Sequence, residues 1–215
     1  MTTSRWLGGA AAVLGAALLL TSCGDSGGED TDKIVGAEQD PTDESLAPSG
    51  AEPAADAPEF DFPADLKVEV DADTTGDETK DAVLRDHGYA VRANMLALAE
   101  LDPELPVLAD YVAGDSFVRS ADTVASFKAD GRTVTGATHF YDREVELRDK
   151  GAASVTYCED QRKAFNKDVE SGEVDRTEPS DESFVRYVAL MEKTDEGVWQ
   201  MTRDQSERGA SECQL

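Results

Sequence analysis

Bases are scarce in this 215-residue chain: 20 Lys and Arg stand against 46 Asp and Glu, a formal net charge of −26. Phosphate backbones are bound through Lys and Arg that displace counterions, so a field of this sign repels nucleic acid, and no nucleic-acid partner is expected. Aromatic residues make up only 7%, and the length allows one domain with a tail. The sequence holds no Gly-x-Ser-x-Gly elbow, phosphate loop, dinucleotide fingerprint, Cys-x-x-Cys pair or zinc-ligand spacing. These absences count against the familiar hydrolase, nucleotide-binding and metalloenzyme classes, and neither a cofactor nor a metal is expected. Repeats at solenoid periods are also missing.

Long apolar runs are absent except at the start, where Leu7 to Leu20 carries no ionisable side chain and follows a single positive charge, Arg5. These fourteen residues would reach ~21 Å as a helix, short of the ~30 Å of a hydrocarbon core. That is the shape of a signal peptide over 1–22. The run ends in Leu20-Thr21-Ser22-Cys23, which resembles a bacterial lipobox: an aliphatic residue, two small ones, then the cysteine that becomes the lipidated N-terminus. The resemblance implies a diacylglycerol thioether on Cys23, with acyl chains such as palmitate. Two or three chains would give lasting attachment, at ~0.8 kcal/mol per buried methylene. The alternative is an ordinary secretory peptide with Cys23 near its cleavage site.

Residues 23–64 read as the lipidated cysteine and a disordered acidic tether. Gly24 to Ala64 holds 12 acidic residues, five Gly, five Pro and one Lys, and such a segment buries too little surface to offset its ordering entropy. As a flexible coil it would reach ~35 Å, holding the folded part off the bilayer. Binding of cations or of a basic partner by the acidic run is the alternative, although its spacing matches no calcium loop.

From Asp65 to Leu215 the pattern is that of a single α+β domain. Leu66, Val68 and Val70 alternate with Lys67 and Glu69, predicting a short edge strand. Thr74 to Asp77 offers N-caps for a helix of six or seven turns carrying Val83, Leu84, His87, Val91, Met95 and Leu98 on one face. Asp102-Pro103-Glu104 predicts the start of a second helix. Asp115 or Ser116 is expected to cap a third, with Phe117, Val118, Ala121, Val124 and Ala125 facing inward and Gly131 ending it. After Gly131 the period changes to 2. Thr133 to Phe140 and Tyr141 to Arg148 predict one long bent strand or a hairpin, with Gly136 as a bulge candidate. Ala152 to Cys158 is the next strand, Asn166 to Glu182 reads as a loop, and Phe184 to Lys193 with Val198 to Arg203 forms a hairpin. The architecture expected is three N-terminal helices packed on a curved, cone-like antiparallel sheet of four to six strands.

With Cys23 assigned to lipid, Cys158 and Cys213 remain, and an even pair in an exported protein predicts a disulfide. Closing a loop of about 55 residues would be worth roughly 4 kcal/mol. The alternative, a redox or metal site, lacks a neighbouring His. His87 falls on the apolar face of the first helix, where a satisfied core histidine is the common case. Strand geometry would send His139, Tyr141 and Arg143 to one side. His139 is then either a catalytic acid or base assisted by Tyr141 or Tyr157, or a polar residue at a strand end facing water.

Tyr89 to Met95, Thr133-Val134-Thr135-Gly136 leading to Tyr141-Asp142-Arg143, Tyr157-Cys158-Glu159-Asp160-Gln161, Gly197-Val198-Trp199-Gln200 and Arg208-Gly209-Ala210 together resemble a group of actinobacterial secreted lipoproteins of uncharacterised function. The order of elements is also similar to the nuclear-transport-factor-2-like cone, a fold that hosts isomerases, dehydratases, cyclases and non-catalytic binding modules alike. The resemblance implies no catalytic residue. The expected function is that of a lipid-anchored lipoprotein on the extracytoplasmic face of the cell membrane. It would act as a non-catalytic binding module for a small ligand, a wall component or an envelope protein. Two alternatives stand beside it: an accessory subunit of a membrane complex, and an acid/base enzyme working in the cone with His139 and Asp142 or Tyr157.

Overall fold

The computed structural model describes residues 57–215. The leader 1–22, Cys23 and residues 24–56 lie outside the described residues. Within them, no helix is long and apolar enough to cross a membrane.

Strand β1 (Leu66–Val70) comes first, followed by helices α1 (Glu78–Glu100), α2 (Pro106–Tyr111) and α3 (Gly114–Ala129). Strands β2 (Arg132–Arg148), β3 (Ala152–Asp168), β4 (Val174–Asp175), β5 (Phe184–Lys193) and β6 (Trp199–Arg208) complete the domain. The sheet order is β1-β2-β3-β5-β6, with β4 pairing the far end of β3. All pairs are antiparallel except β1 with β2, which is parallel. The expected antiparallel sheet is therefore mixed: β1 and β2 are joined through three helices, a connection long enough for the crossover that parallel neighbours require.

The acidic segment does not end where the folded part begins. Phe60 packs against the main core, lies 6.2 Å from both Phe62 and Tyr89 between ring centroids, and the Leu66 amide bonds the Pro63 carbonyl. Two aromatic residues give this stretch the apolar surface that the more N-terminal acidic residues lack, so the domain starts before Asp65.

Helix α1 starts as its sequence predicts: the Asp77 carboxylate accepts from the Thr79 and Lys80 amides, satisfying donors that the first turn leaves open. Val83, Leu84, Ala90, Val91 and Ala97 are buried along it. Helix α2 begins three residues later than expected, with Pro106 rather than Pro103 in its first turn. Helix α3 starts at Gly114 with no side-chain cap. There φ is +56° and an added Cβ would lie 2.9 Å from the Thr202 carbonyl oxygen, so the α2–α3 corner docks directly on β6 through a position that requires glycine. The inward face of α3 is also rotated from the expected one. Val118 and Ala125 are exposed, whereas Ser116 is buried and Phe117, Ser120 and Phe127 are half-buried.

Thr133 to Arg148 forms one strand, not a hairpin. Its register shifts lie between Ala137 and His139 and between Tyr141 and Glu144, so Gly136 is not the bulge. Gly136 instead allows the Lys163 carbonyl to approach to 2.0 Å of where a Cβ would stand. Strands β3 and β6 run ten and five residues beyond their predicted ends, to Asp168 and Arg208. The helices and one sheet face enclose the main core, including Val83, Leu108, Val124, Phe140, Met191 and Trp199. A smaller cluster of Tyr141, Cys158, Phe184, Ala210 and Cys213 forms where the C-terminus folds back. It contains the Cys158–Cys213 disulfide, whose Cα atoms are 5.5 Å apart.

Candidate functional site

Alternation along β3 puts Tyr157, Glu159 and Gln161 on the helix side of the sheet and Cys158 and Asp160 on the other. The inner residues line a cavity of about 480 Å³ between α1, α3 and the sheet. Its walls are largely apolar, with Met95 and Leu98 from α1, Val124 and Phe127 from α3, and Phe140 and Phe165 from β2 and β3. A volume of this size, apolar with a few convergent polar groups, is characteristic of small-molecule sites.

Glu159 is the centre of the polar part. Only 4% exposed, its carboxylate accepts from Thr138 Oγ1 at 2.7 Å, Gln161 Nε2 at 2.8 Å and the Tyr187 hydroxyl at 2.8 Å. Tyr187 sits opposite Tyr157 in the β3–β5 register, and their rings stack at 4.9 Å between centroids. Burial pushes both phenols well above the ordinary tyrosine value, with Asp204 adding to the effect on Tyr157 and Glu159 to that on Tyr187. At neutral pH both phenols keep their protons, and Tyr187 donates its own to Glu159. Gln161 passes the network on: its Oε1 accepts from Arg208 Nη1 at 2.8 Å, and the same nitrogen donates to the Glu182 carbonyl at 2.8 Å.

A second polar group lies on the α3–β6 side. Asp204 accepts from Ser116 Oγ at 2.5 Å and from Arg119 Nη1 at 3.0 Å, and Ser120 donates to Asn94. All of these residues line the cavity. The serines that break the apolar pattern of α3 therefore face the site.

The structure separates His139 from Tyr157. His139 does not line the cavity; its Nε2 lies 2.7 Å from Asp71 Oδ1, and its ring stacks on Tyr141 at 5.1 Å. Tyr141 donates to the Cys213 carbonyl. Arg143 does not share their side. The bulge puts Asp142 at φ +49° and turns Arg143 inward, where Nε bonds Asp73 at 2.8 Å, Nη1 the Leu84 carbonyl at 2.8 Å and Nη2 the Asp71 carbonyl. The expected pairing of His139 with Tyr157 is thus corrected: His139 and Tyr141 share one side of β2, as alternation predicts, but Tyr157 lines the cavity on the opposite face, and the bulge at Asp142 takes only Arg143 from their side.

His87 is in the core, as its helix face predicts, but it is not satisfied there. Neither ring nitrogen has a protein hydrogen-bond partner. The ring lies edge-on to Tyr157 at 4.4 Å, and burial, with the nearby Arg143 charge, lowers its pKa to about 3. No group of three or more His, Cys, Asp or Glu among the described residues is placed to hold a metal ion.

Glu159, Tyr187, Gln161, Thr138 and Arg208 are the residues that sequence reasoning missed as a site. One signal was present: Tyr157-x-Glu159-x-Gln161 puts three polar-headed side chains on one face of a strand, beginning at an aromatic.

No family model and no curated protein matches this chain. Among solved structures it is similar to the intermembrane-space region of the chloroplast protein ARC6, with 15% identity and a TM-score of 0.41 over 59% of this chain and 94% of that one. It is similar to a ketosteroid isomerase-like protein from Erwinia carotovora atroseptica, with 18% identity and a TM-score of 0.36 over 55% and 90% of the two chains. A nuclear transport factor 2-like superfamily protein from Salmonella enterica shares 10% identity, with a TM-score of 0.36 over 57% and 87%. No residue role, ligand or activity follows for this chain from any of them.

Proposed function

We propose that this chain is a non-catalytic module that binds a small, largely apolar molecule in the cavity between its helices and its sheet, held at the extracytoplasmic face of a membrane by lipid on Cys23. The observation that carries the binding role is the cavity itself: about 480 Å³, apolar walls, and a buried polar group centred on Glu159. The Cys158–Cys213 disulfide supports an exported setting, since such bonds persist in oxidising compartments. The acidic residues preceding the domain suit a spacer between anchor and pocket.

Native mass spectrometry of the full chain, produced by export from an oxidising host, tests the binding role. A mass excess of small-molecule size that denaturation removes is expected. An apo mass that persists after incubation with extracts of the producing cells would contradict it. Replacing Cys23 by Ala tests the anchor, and continued membrane association of that variant would contradict it.

A further inference from the structure

The cavity holds a carboxylate with no cation of its own. Buried ionised carboxylates are ordinarily paired, because the cost of desolvating a lone charge is several kcal/mol. The carboxylate of Glu159, 4% exposed, forms no salt bridge among the described residues. Its three partners, Thr138, Gln161 and Tyr187, are all neutral.

The orientation of Gln161 is set by its two neighbours. Arg208 can only donate, so the Gln161 oxygen must face Arg208 and its NH2 must face Glu159. Glu159 thus accepts an amide N–H from Gln161, with the Thr138 and Tyr187 hydroxyls within hydrogen-bond distance of its oxygens. A carboxylate has about four acceptor sites, and three are used.

Four other charged residues line the cavity: Arg119, Asp204, Asp175 and Arg208. Arg119 is paired with Asp204 at 3.0 Å. Arg208 is exposed and gives one nitrogen to the Gln161 and Glu182 oxygens. It is thereby separated from Glu159 by the length of the Gln161 amide. Glu159, Asp204 and Asp175 against Arg119 and Arg208 leave the lining at −1, inside a chain of net charge −26. A field of that sign concentrates cations and excludes anions.

We infer that the ligand is an amphiphilic organic cation: a protonated amine whose N–H takes the open acceptor site of Glu159 and whose hydrocarbon part lies against Met95, Leu98, Phe127 and Phe165. The stacked rings of Tyr157 and Tyr187 beside the carboxylate add an aromatic surface that also favours cations. This inference rests on the proposed binding role of the cavity and goes beyond it by fixing the ligand's charge.

Isothermal titration calorimetry on the full chain at pH 7 tests it with four probes: n-octylammonium chloride, 1-octanol, sodium octanoate and methylammonium chloride. The last reports adsorption of small cations on the acidic surface. Octylammonium is expected to bind at one site at least tenfold more tightly than octanol, octanoate more weakly than either, and methylammonium not measurably. Glu159→Gln is expected to reduce octylammonium to the affinity of octanol. Octanol or octanoate binding as tightly as octylammonium would overturn the inferred charge while leaving the binding role intact. If octylammonium, octanol and octanoate all fail to bind, both are overturned. The probe ranking is read on the unaltered chain, so it decides the question even where the variant folds poorly. An unchanged octylammonium affinity in a folded Glu159→Gln protein would remove Glu159 from the site.

Discussion

Two neighbouring carboxylates on β3 have opposite circumstances. Asp160, on the outer face, is paired at 2.7 Å with Arg162, two residues along the same strand, and also accepts from the Arg162 amide. Burial works to raise its pKa, but the hydrogen bonds and charge of Arg162 outweigh this and hold its carboxyl below the usual range. Glu159, on the inner face, is more deeply buried and forms no ion pair among the described residues. The outer face of this strand is thus saturated: Asp160 with its arginine, Cys158 with its disulfide, and Arg162 over the Phe184 ring at 4.9 Å. The inner face keeps a charge, two phenols and open volume. Interactions that complete each other locally serve the fold, and a buried charge left incomplete beside a cavity is what a ligand would complete.

The comparison can be broken most forcefully on the outer face. Replacing both Cys158 and Cys213 by Ala should cost about 4 kcal/mol, the chain-entropy value for a loop of this length, measured by urea unfolding with and without reductant. A loss well under 1 kcal/mol would mean that the tail is held by packing alone.

On the inner side the next largest effect concerns His87 behind Tyr157. Its folded pKa of about 3 is depressed from an unfolded value of ~6.5. The unfolded chain therefore binds the extra proton between those values, and stability is lost as pH falls below ~6.5. Arg143, the charged group near it, acts in the same direction by disfavouring the imidazolium. His87→Leu should remove this loss, about 2 kcal/mol between pH 6.5 and pH 5, and should cost little at pH 7 because no protein hydrogen bond is lost. Equal acid sensitivity of variant and parent in pH-dependent thermal unfolding would contradict the assignment.

The smallest effects test the two carboxylates directly, and their signs should differ. Asp160→Asn should lower stability by up to about 1 kcal/mol, the range of a partly exposed ion pair. The contribution of Asp160 is present at neutral pH and is lost as pH falls through its depressed folded pKa, so the variant should also lose less on acidification. Glu159→Gln should leave stability unchanged or raise it by up to about 1 kcal/mol, since it removes a buried charge that no cation offsets. A larger loss from Glu159→Gln than from Asp160→Asn would reverse the comparison.

Much of the scaffold was legible because apolar periodicity reports burial against protein. The edge position of β1, the cap and length of α1 and the span of β5 follow from local pattern, and the Cys158–Cys213 pairing from the cysteine count. The pattern fades where a face meets the cavity or solvent. Ser116 and Ser120 stand where α3 would show apolar residues, and the distal part of β3 from Glu159 to Asp168 holds mostly charged and polar residues. The rules that find a core by its hydrophobicity therefore stop short of the site. The parallel pairing of β1 and the inward turn of Arg143 depend on a crossover and a bulge, which residue periodicity does not encode. Proline misplaces the start of α2, because Pro103 and Pro106 both suit a first turn, the Asp102-Pro103-Glu104 pattern points to Pro103, and Pro106 occupies it.

The central claim is that the cavity receives a small molecule, and the methionines provide a direct test. Met95 and Met201 line the cavity, whereas Met191 is fully buried in the core and is not part of the lining. Titration of the 13C-methyl-methionine protein with n-octylammonium, followed by NMR, should shift the Met95 and Met201 methyl signals with one common saturation curve and leave Met191 in place. Unmoved Met95 and Met201 signals at millimolar probe, or shifts of equal size at all the methionines, would contradict the account.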